Sequence, residues 1–523
     1  MNHSTTGQST FQNPILPGFY PDPSICRVEE DYYLVTSSFA YFPGVPIFHS
    51  KDLVHWRQIG HVLDRPSQLD LDRVGHSEGI FAPTLRYHKG TFYMITTNVS
   101  KGGNFIVTAT RPEGPWSEPY WLNDAPGIDP SLFFDDDGKA YYCGTRPAPE
   151  GEKYSGNWEV WLQELDLPKM KLTGEKYPLW RGALRDVIWP EGPHIYKING
   201  LYYLMISEGG TDYHHSVTIA RSQKITGPYE GNPGNPILTH RHLGRSVPIT
   251  NTGHVDLVET QNGEWWMVCL ASRPYGGYYR NLGRETFLTP VLWEDGWPIV
   301  SPGTGRVEFS YPVPNLPISQ PIPARLRDDF DSPQFDPVWN FIRTPREEFW
   351  SLCKRPGYLR LKLRPEKISE QVNPSFVGRR QQHINFTATT VMEFKPENHS
   401  ETAGLVLIQN NHFHLRLEAA LHNQQIIIRL IQCAHGLETE LARKAYSTQI
   451  FCLTVTARGQ DYSFFGGLSP EAMEILAENV DGRILSTDVA GGFVGTCVGL
   501  FASSNGNPSL NQADFDWFDY IGE

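Results

Sequence analysis

Through the first 300 residues, short aromatic and branched apolar runs alternate with polar turns, and no segment carries the 3.6-residue repeat of a long helix. Asp31 to Ser38, Thr91 to Thr97, Phe105 to Thr110, Val160 to Glu164, Leu201 to Ser207, Val217 to Arg221 and Glu264 to Leu270 read as strands. Five stretches open these units alike: Pro21-Asp22-Pro23-Ser24-Ile25, Phe81-Ala82-Pro83-Thr84-Leu85, Ile128-Asp129-Pro130-Ser131-Leu132, Trp189-Pro190-Glu191-Gly192-Pro193-His194 and Gly253-His254-Val255-Asp256-Leu257. Each is followed by a polar turn and an aromatic-rich strand. From Asp22 through Ala82, Asp129 and Glu191 to His254 the steps are 60, 47, 62 and 63 residues. Several strands per unit, repeated five times, predict a five-bladed β-propeller around a central channel over residues 1–310. A sandwich would not explain five copies of one motif.

The pattern changes further along. Tyr311 to Pro323 is dense in proline and predicts a stiff connector, residues 311–324, between two domains. From 325 to 523, alternating runs such as Ala388 to Phe394, Phe413 to Glu418, Gln425 to Ile431 and Phe451 to Ala457 predict a two-sheet β-sandwich. Asp514 to Tyr520 is its expected closing strand. The expected fold is therefore all-β.

Composition narrows what such a chain binds. A net charge of -13 without a basic run excludes nucleic acid and anionic membranes as natural partners, and no apolar run has membrane-spanning length. The start, MNHSTTGQST, has neither a cationic segment nor an apolar core, so a cytoplasmic location is expected, with secretion after removal of a leader left open. Seven scattered cysteines without a CxxC pair read as reduced core thiols. A homo-oligomer stays open.

Superposing the five blade starts brings Asp22, Ala82, Asp129, Glu191 and approximately His254 to the channel. One Asp-Pro-Ser alone is an ordinary turn. Repeated, it gathers three carboxylates and an imidazole in one spot, where like charges repel unless a ligand, a proton or a cation offsets them. Converging carboxylates whose pKa values are pushed apart are the usual basis of glycosidic hydrolysis. His254 reads equally as a core imidazole or a metal ligand, and Phe39 and Phe81 as core or sugar-stacking rings. Arg284 reads as a strand arginine or as the cation that contacts a carboxylate.

Tyr20-Pro21-Asp22-Pro23-Ser24, Phe42-Pro43-Gly44-Val45-Pro46, Gly79-Ile80-Phe81-Ala82-Pro83, Ile128-Asp129-Pro130-Ser131, Trp189-Pro190-Glu191-Gly192-Pro193-His194 and Leu282-Gly283-Arg284-Glu285-Thr286 together resemble glycoside hydrolase family 43, in its two-domain β-xylosidase and α-L-arabinofuranosidase form. The resemblance implies a concanavalin-like (laminin-G-like) sandwich after the propeller and an inverting, exo-acting enzyme on xylo- or arabinoxylo-oligosaccharides. It makes Asp22 the general base, Glu191 the general acid, and Asp129 the residue that orients Glu191 and keeps it protonated. Arg284, Phe39, Phe81 and Thr211 fall where the family binds the sugar. His254 matches a channel-centre histidine that faces calcium or water, which leaves Ca2+ open as an inorganic cofactor and implies no organic one. Phe81 stands where xylosidases of this type carry Trp, and Gly144 to Pro149 replaces a second one, so arabinofuranoside cleavage joins xyloside cleavage as an expectation. A sandwich loop closing the pocket is expected at Ser503 to Ser509, with Phe501 or Phe493 nearby. The alternatives are an endo-arabinanase and a sugar-binding propeller without catalysis.

Overall fold

A computed structural model describes residues 9–320 and 326–523. Five antiparallel sheets, four of four strands and one of five, follow one another in chain order. The first holds Ser24–Val28, Asp31–Val35, Gly44–Ser50 and Arg57–Leu63; the second Thr84–His88, Thr91–Asn98, Gly103–Ala109 and Tyr120–Trp121. The third holds Ile128–Phe134, Ala140–Pro147, Trp158–Asp166 and Lys171–Trp180. Glu191–Ile198, Leu201–Glu208, Ser216–Ser222 and Glu230–Gly231 make the fourth, with Leu238–Thr239 also paired to its third strand. Thr250–Glu259, Trp265–Ser272, Glu285–Glu294 and Trp297–Val300 make the fifth. The second strand of each blade is packed on both faces, which is why Leu201–Glu208 and Trp265–Ser272 read as nearly unbroken apolar runs.

The ring is closed by the two ends of the propeller segment. Thr10–Gln12 pairs antiparallel with Ser310–Pro312, and the Asn13 side chain donates to the Leu288 carbonyl at 2.8 Å. The proline-rich stretch therefore begins as part of the propeller instead of spanning a gap: Tyr311 belongs to its apolar core, and the Ser319 N–H donates to Asp52 at 2.8 Å. Residues 321–324 of the expected connector, like residues 1–8, lie outside the described residues.

The second domain is a sandwich of an eight-stranded and a six-stranded antiparallel sheet. Phe386–Glu393 alternates buried and half-buried positions, as a strand with one face inward should. Thr402–Asn410 is buried at all but its last residue, because the six-stranded sheet packs on its partner sheet with one face and on the propeller with the other. Phe19, Phe39 and Tyr41 of the propeller share that second contact with Val406, Ile408 and Phe501. Phe341–Ile342 pairs with Tyr41–Phe42 of blade one. Beside this ribbon the fully buried Arg343 donates to Val74 O at 2.6 Å, Val372 O at 2.7 Å and Asn411 Oδ1 at 2.9 Å. A guanidinium so buried is tolerated only when such partners replace water, and it ties the sandwich rigidly to the blade that carries Asp22.

Candidate active site

Four of the five blade starts bend where the first strand leaves the channel, blade two at Ala82 being the exception. Asp22, Asp129, Gly192 and His254 all adopt a left-handed backbone, with φ of 56°, 52°, 55° and 44°. Strand register breaks at the same places, between Ile128 and Ser131, Glu191 and His194, and Gly253 and Val255. Such bulges re-aim a side chain, and here they turn the bent residue toward the axis. In blade four the bent position belongs to Gly192. The superposition that put Glu191 on Asp22 and Asp129 is thus one residue out of step: Glu191 precedes the bend and reaches the same cavity from the neighbouring position. Gly192 is required there, since a Cβ would come within 2.9 Å of the His254 ring.

The cavity, of about 530 Å³, opens at the mouth of the channel and is lined by Asp22, Asp129, Glu191, His254 and Arg284. Asp22 accepts from Ser37 Oγ at 2.5 Å and from Arg284 Nη1 at 2.7 Å. The same Arg284 nitrogen donates to Thr211 Oγ1 at 3.0 Å. Asp129 accepts the Gly192 N–H at 3.2 Å and so fixes the backbone that carries Glu191. His254 Nδ1 lies 3.9 Å from Asp22 and 4.0 Å from Glu191, which limits the gap between those two carboxylate oxygens to about 8 Å. Phe39 and Phe81 line the closed end, their ring centres 5.4 Å apart.

Burial opposes a charge on His254, but Glu191, Asp22 and Asp129 outweigh it and push its pKa up to about 9. Burial raises Asp129 as well, and Glu191 and Asp22 add to this against His254, bringing it to about 7. On Glu191 burial is the largest influence and acts upward, yet His215 and His254 together hold this carboxyl below its ordinary value. The direction on Glu191 is thus set by the two imidazoles and not by the charge of Asp129, which was expected to raise it.

His215 escaped the sequence reading. It is fully buried, its Nδ1 donates to the Asn251 carbonyl at 3.1 Å, and its Nε2 lies 3.0 Å from Glu191 Oε1. Gly253 makes room for the ring, since a Cβ there would sit 2.2 Å from it. Only the doublet His214-His215 beside Thr211 signalled it.

The sandwich closes one side of the cavity with a different loop from the one expected. Thr487, Gly491, Gly492 and Phe493 line it, whereas Ser503 to Ser509 is tied into its own domain, Ser503 Oγ donating to Glu366 O at 3.0 Å and Asn505 to Ser400 O at 2.7 Å. Phe501 is buried in the interdomain core. Phe493 stacks on Phe39 at 6.1 Å and its N–H donates to Ser77 Oγ at 2.8 Å. Arg280 of blade five clamps this loop through Asp488, with its N–H and Nη2 each 2.8 Å from the carboxylate.

Calcium does not fit the donors around His254. Asp22 is already paired with Arg284 and Glu191 faces His215, and an imidazole suits this hard cation poorly. Deeper in the channel the Arg86 guanidinium makes two bonds to Asp256, at 2.8 and 3.1 Å, and one to His194 at 2.9 Å. Among the described residues no cluster of three or more acidic, histidine or cysteine side chains could hold a metal. Six of the seven cysteines are buried, and all seven are free thiols.

A carboxylate pair facing across a sugar-sized cavity in a propeller, with a sandwich for a lid, defines a glycoside hydrolase. The chain belongs to glycosyl hydrolases family 43: that family's model matches residues 11–298, and the β-xylosidase C-terminal concanavalin A-like domain matches residues 327–521. It is 51% identical over 510 residues to a xylosidase/arabinosidase of Butyrivibrio fibrisolvens, covering 97% of this chain and 98% of the relative. It is 41% identical to the non-reducing end alpha-L-arabinofuranosidase BoGH43B of Bacteroides ovatus, over 99% of this chain and 96% of that protein. Among solved structures, the Bacteroides ovatus xyloglucan PUL GH43B superposes with a TM-score of 0.92 at 42% identity, covering 98% of this chain and all of the other. The xylan beta-1,4-xylosidase of Bacillus halodurans gives 0.91 at 38%, over 98% and 99% of the two chains.

Proposed function

We propose that this glycoside hydrolase removes terminal α-L-arabinofuranosyl and β-D-xylosyl residues from arabinoxylan or xylan fragments, with inversion. The observation that carries this reading is the facing of Asp22 and Glu191 across one His254 nitrogen, in a cavity whose far end Phe39, Phe81 and Phe493 close. A gap of up to about 8 Å leaves room for the attacking water of an inverting pair. Phenylalanines at one end stop a chain from running through, which favours exo cleavage over an endo-arabinanase. Xylosidase and arabinosidase names among the full-length relatives support both glycons.

Asp22 takes a proton from water as the water attacks the anomeric carbon. Ser37 and Arg284 hold the carboxylate at the right angle, while Glu191 protonates the departing oxygen. A sugar in the cavity expels water from around Glu191, and burial, which already acts upward on it, then grows. The carboxyl recovers a proton from His254, 4.0 Å away. Asp129 acts as a positioning residue through the Gly192 N–H.

Rates on p-nitrophenyl α-L-arabinofuranoside, p-nitrophenyl β-D-xyloside and xylobiose, with the product anomer followed by NMR, test the reading. Turnover of at least one pentoside with an inverted first product is expected. Binding without product, or release of internal fragments from linear arabinan, would overturn it.

A further inference from the structure

The cavity has a second aromatic group, on the side of Glu191 and away from the Phe39 cluster. Trp189 and Trp158 line it there. Trp189 is 41% exposed, unusual for so large a ring. Its backbone sits at a φ of 46°, a conformation that bulky residues avoid and that points to function when the surroundings enforce it. They do: the Trp189 N–H donates to Gly156 O at 2.7 Å, and the Gly209 N–H donates to Ile188 O at 3.0 Å. The indole rests against Gly156 and Gly210, where an added Cβ would come within 2.9 and 2.8 Å of the ring. A strained backbone and two glycines thus hold out an aromatic face that core packing does not require. Only Pro190 separates it from Glu191.

Resting on the hydrolase reading above, we propose that Trp189, with Trp158 on the same side, is the stacking platform for the leaving-group sugar, a pyranose of the xylan backbone. In an inverting displacement the water arrives from Asp22 and the departing oxygen faces Glu191, so the leaving sugar extends past Glu191 toward the mouth. The apolar face of a pyranose matches an exposed indole. The buried phenylalanines select the terminal pentose, and the tryptophans select what it is attached to.

The experiment holds the terminal pentose constant and varies the leaving group from methanol to xylose to xylobiose. For the wild-type enzyme kcat/KM should rise at least about tenfold from methanol to xylose. Trp189→Ala should remove most of that rise and Trp189→Phe should restore a good part of it. The proposal is overturned if the wild type shows no rise, or if Trp189→Ala lowers every leaving group by one common factor. Should Trp189→Ala fail to fold by circular dichroism, the wild-type series and Trp189→Phe decide. Failure to cleave any pentoside would instead sink the hydrolase reading.

Discussion

The two sides of the cavity are built from the same repeat and behave oppositely. On the Asp22 side, blades one and five meet the sandwich. The carboxylate is fixed by a serine and an arginine, and three phenylalanines leave little room for water. On the Glu191 side, blades three and four stand alone, and the carboxylate faces two imidazoles beneath a half-open pair of tryptophans. A base that must stay charged gains from a fixed cation, whereas an acid that must gain and lose a proton needs partners that can exchange one. The second domain thus serves the glycon side, and the bare blades leave the departing sugar an exit.

The most severe test of this asymmetry removes each carboxylate in turn. Asp22→Ala should lower kcat/KM by about 10³- to 10⁴-fold whatever the leaving group, because the water is unactivated in every case. Glu191→Ala should cost as much with a sugar leaving group but far less with 2,4-dinitrophenolate, which departs without a proton. Equal, flat losses for both variants across leaving groups would erase the distinction between the two sides. Asp22→Ala retaining activity would end the assignment of the base.

A smaller effect is expected at the closed end. Asp488→Ala removes the carboxylate that three groups of Arg280 grip, and Phe493→Ala removes the ring stacked on Phe39. Either change should raise KM for a terminal pentoside about tenfold with a lesser change in kcat, since this loop packs on the bound sugar equally in the ground state and the transition state. An unaltered KM in both would mean that the sandwich loop covers the cavity without shaping it. On the other side, His215→Gln should shift the pH–rate profile and cost about tenfold in kcat with a sugar leaving group, less with dinitrophenolate. A uniform loss with an unmoved profile would reduce His215 to packing.

Much of the site was legible in the sequence, because it rests on repeats. Asp22 and Asp129 sit in near-identical Asp-Pro-Ser stretches, and repetition makes position in a ring readable without coordinates. The strand runs were legible too, Leu201 to Ser207 falling inside the observed Leu201–Glu208. What stayed hidden depends on contacts between segments far apart in the chain. The one-residue offset at Glu191 arises from which residue takes the left-handed bend, and Glu-Gly-Pro can be laid over Asp-Pro in two ways. His215 enters through the ring-sized space over Gly253, 38 positions away in the chain. The resemblance implies a sandwich loop over the mouth, and the expected stretch, Ser503 to Ser509, is the wrong one, although Phe493, one of the two rings expected nearby, does line the cavity. The true lid is the short capped helix Thr487–Ala490 and the glycines after it, placed by Arg280 from more than 200 residues earlier.

The least drastic test concerns the cation that stands between the two sides. His254 has a pKa near 9 in the folded chain against an ordinary 6.5, so the native state binds this proton more tightly than the unfolded chain does. Its contribution to stability is complete below pH 6.5 and is lost as the pH rises through about 9; the gap corresponds to about 3 kcal/mol. Asp129, also raised, loses its contribution between 3.8 and about 7, so the interval from pH 7 to 9 belongs to His254. Melting temperatures stepped from pH 6 to 9.5 should fall most steeply in that interval, and His254→Gln should flatten the fall. A wild-type curve already flat from 7 to 9 would mean that His254 is neutral. The two carboxylates would then face each other without a cation between them, and the burden of separating base from acid would pass to Arg284 alone.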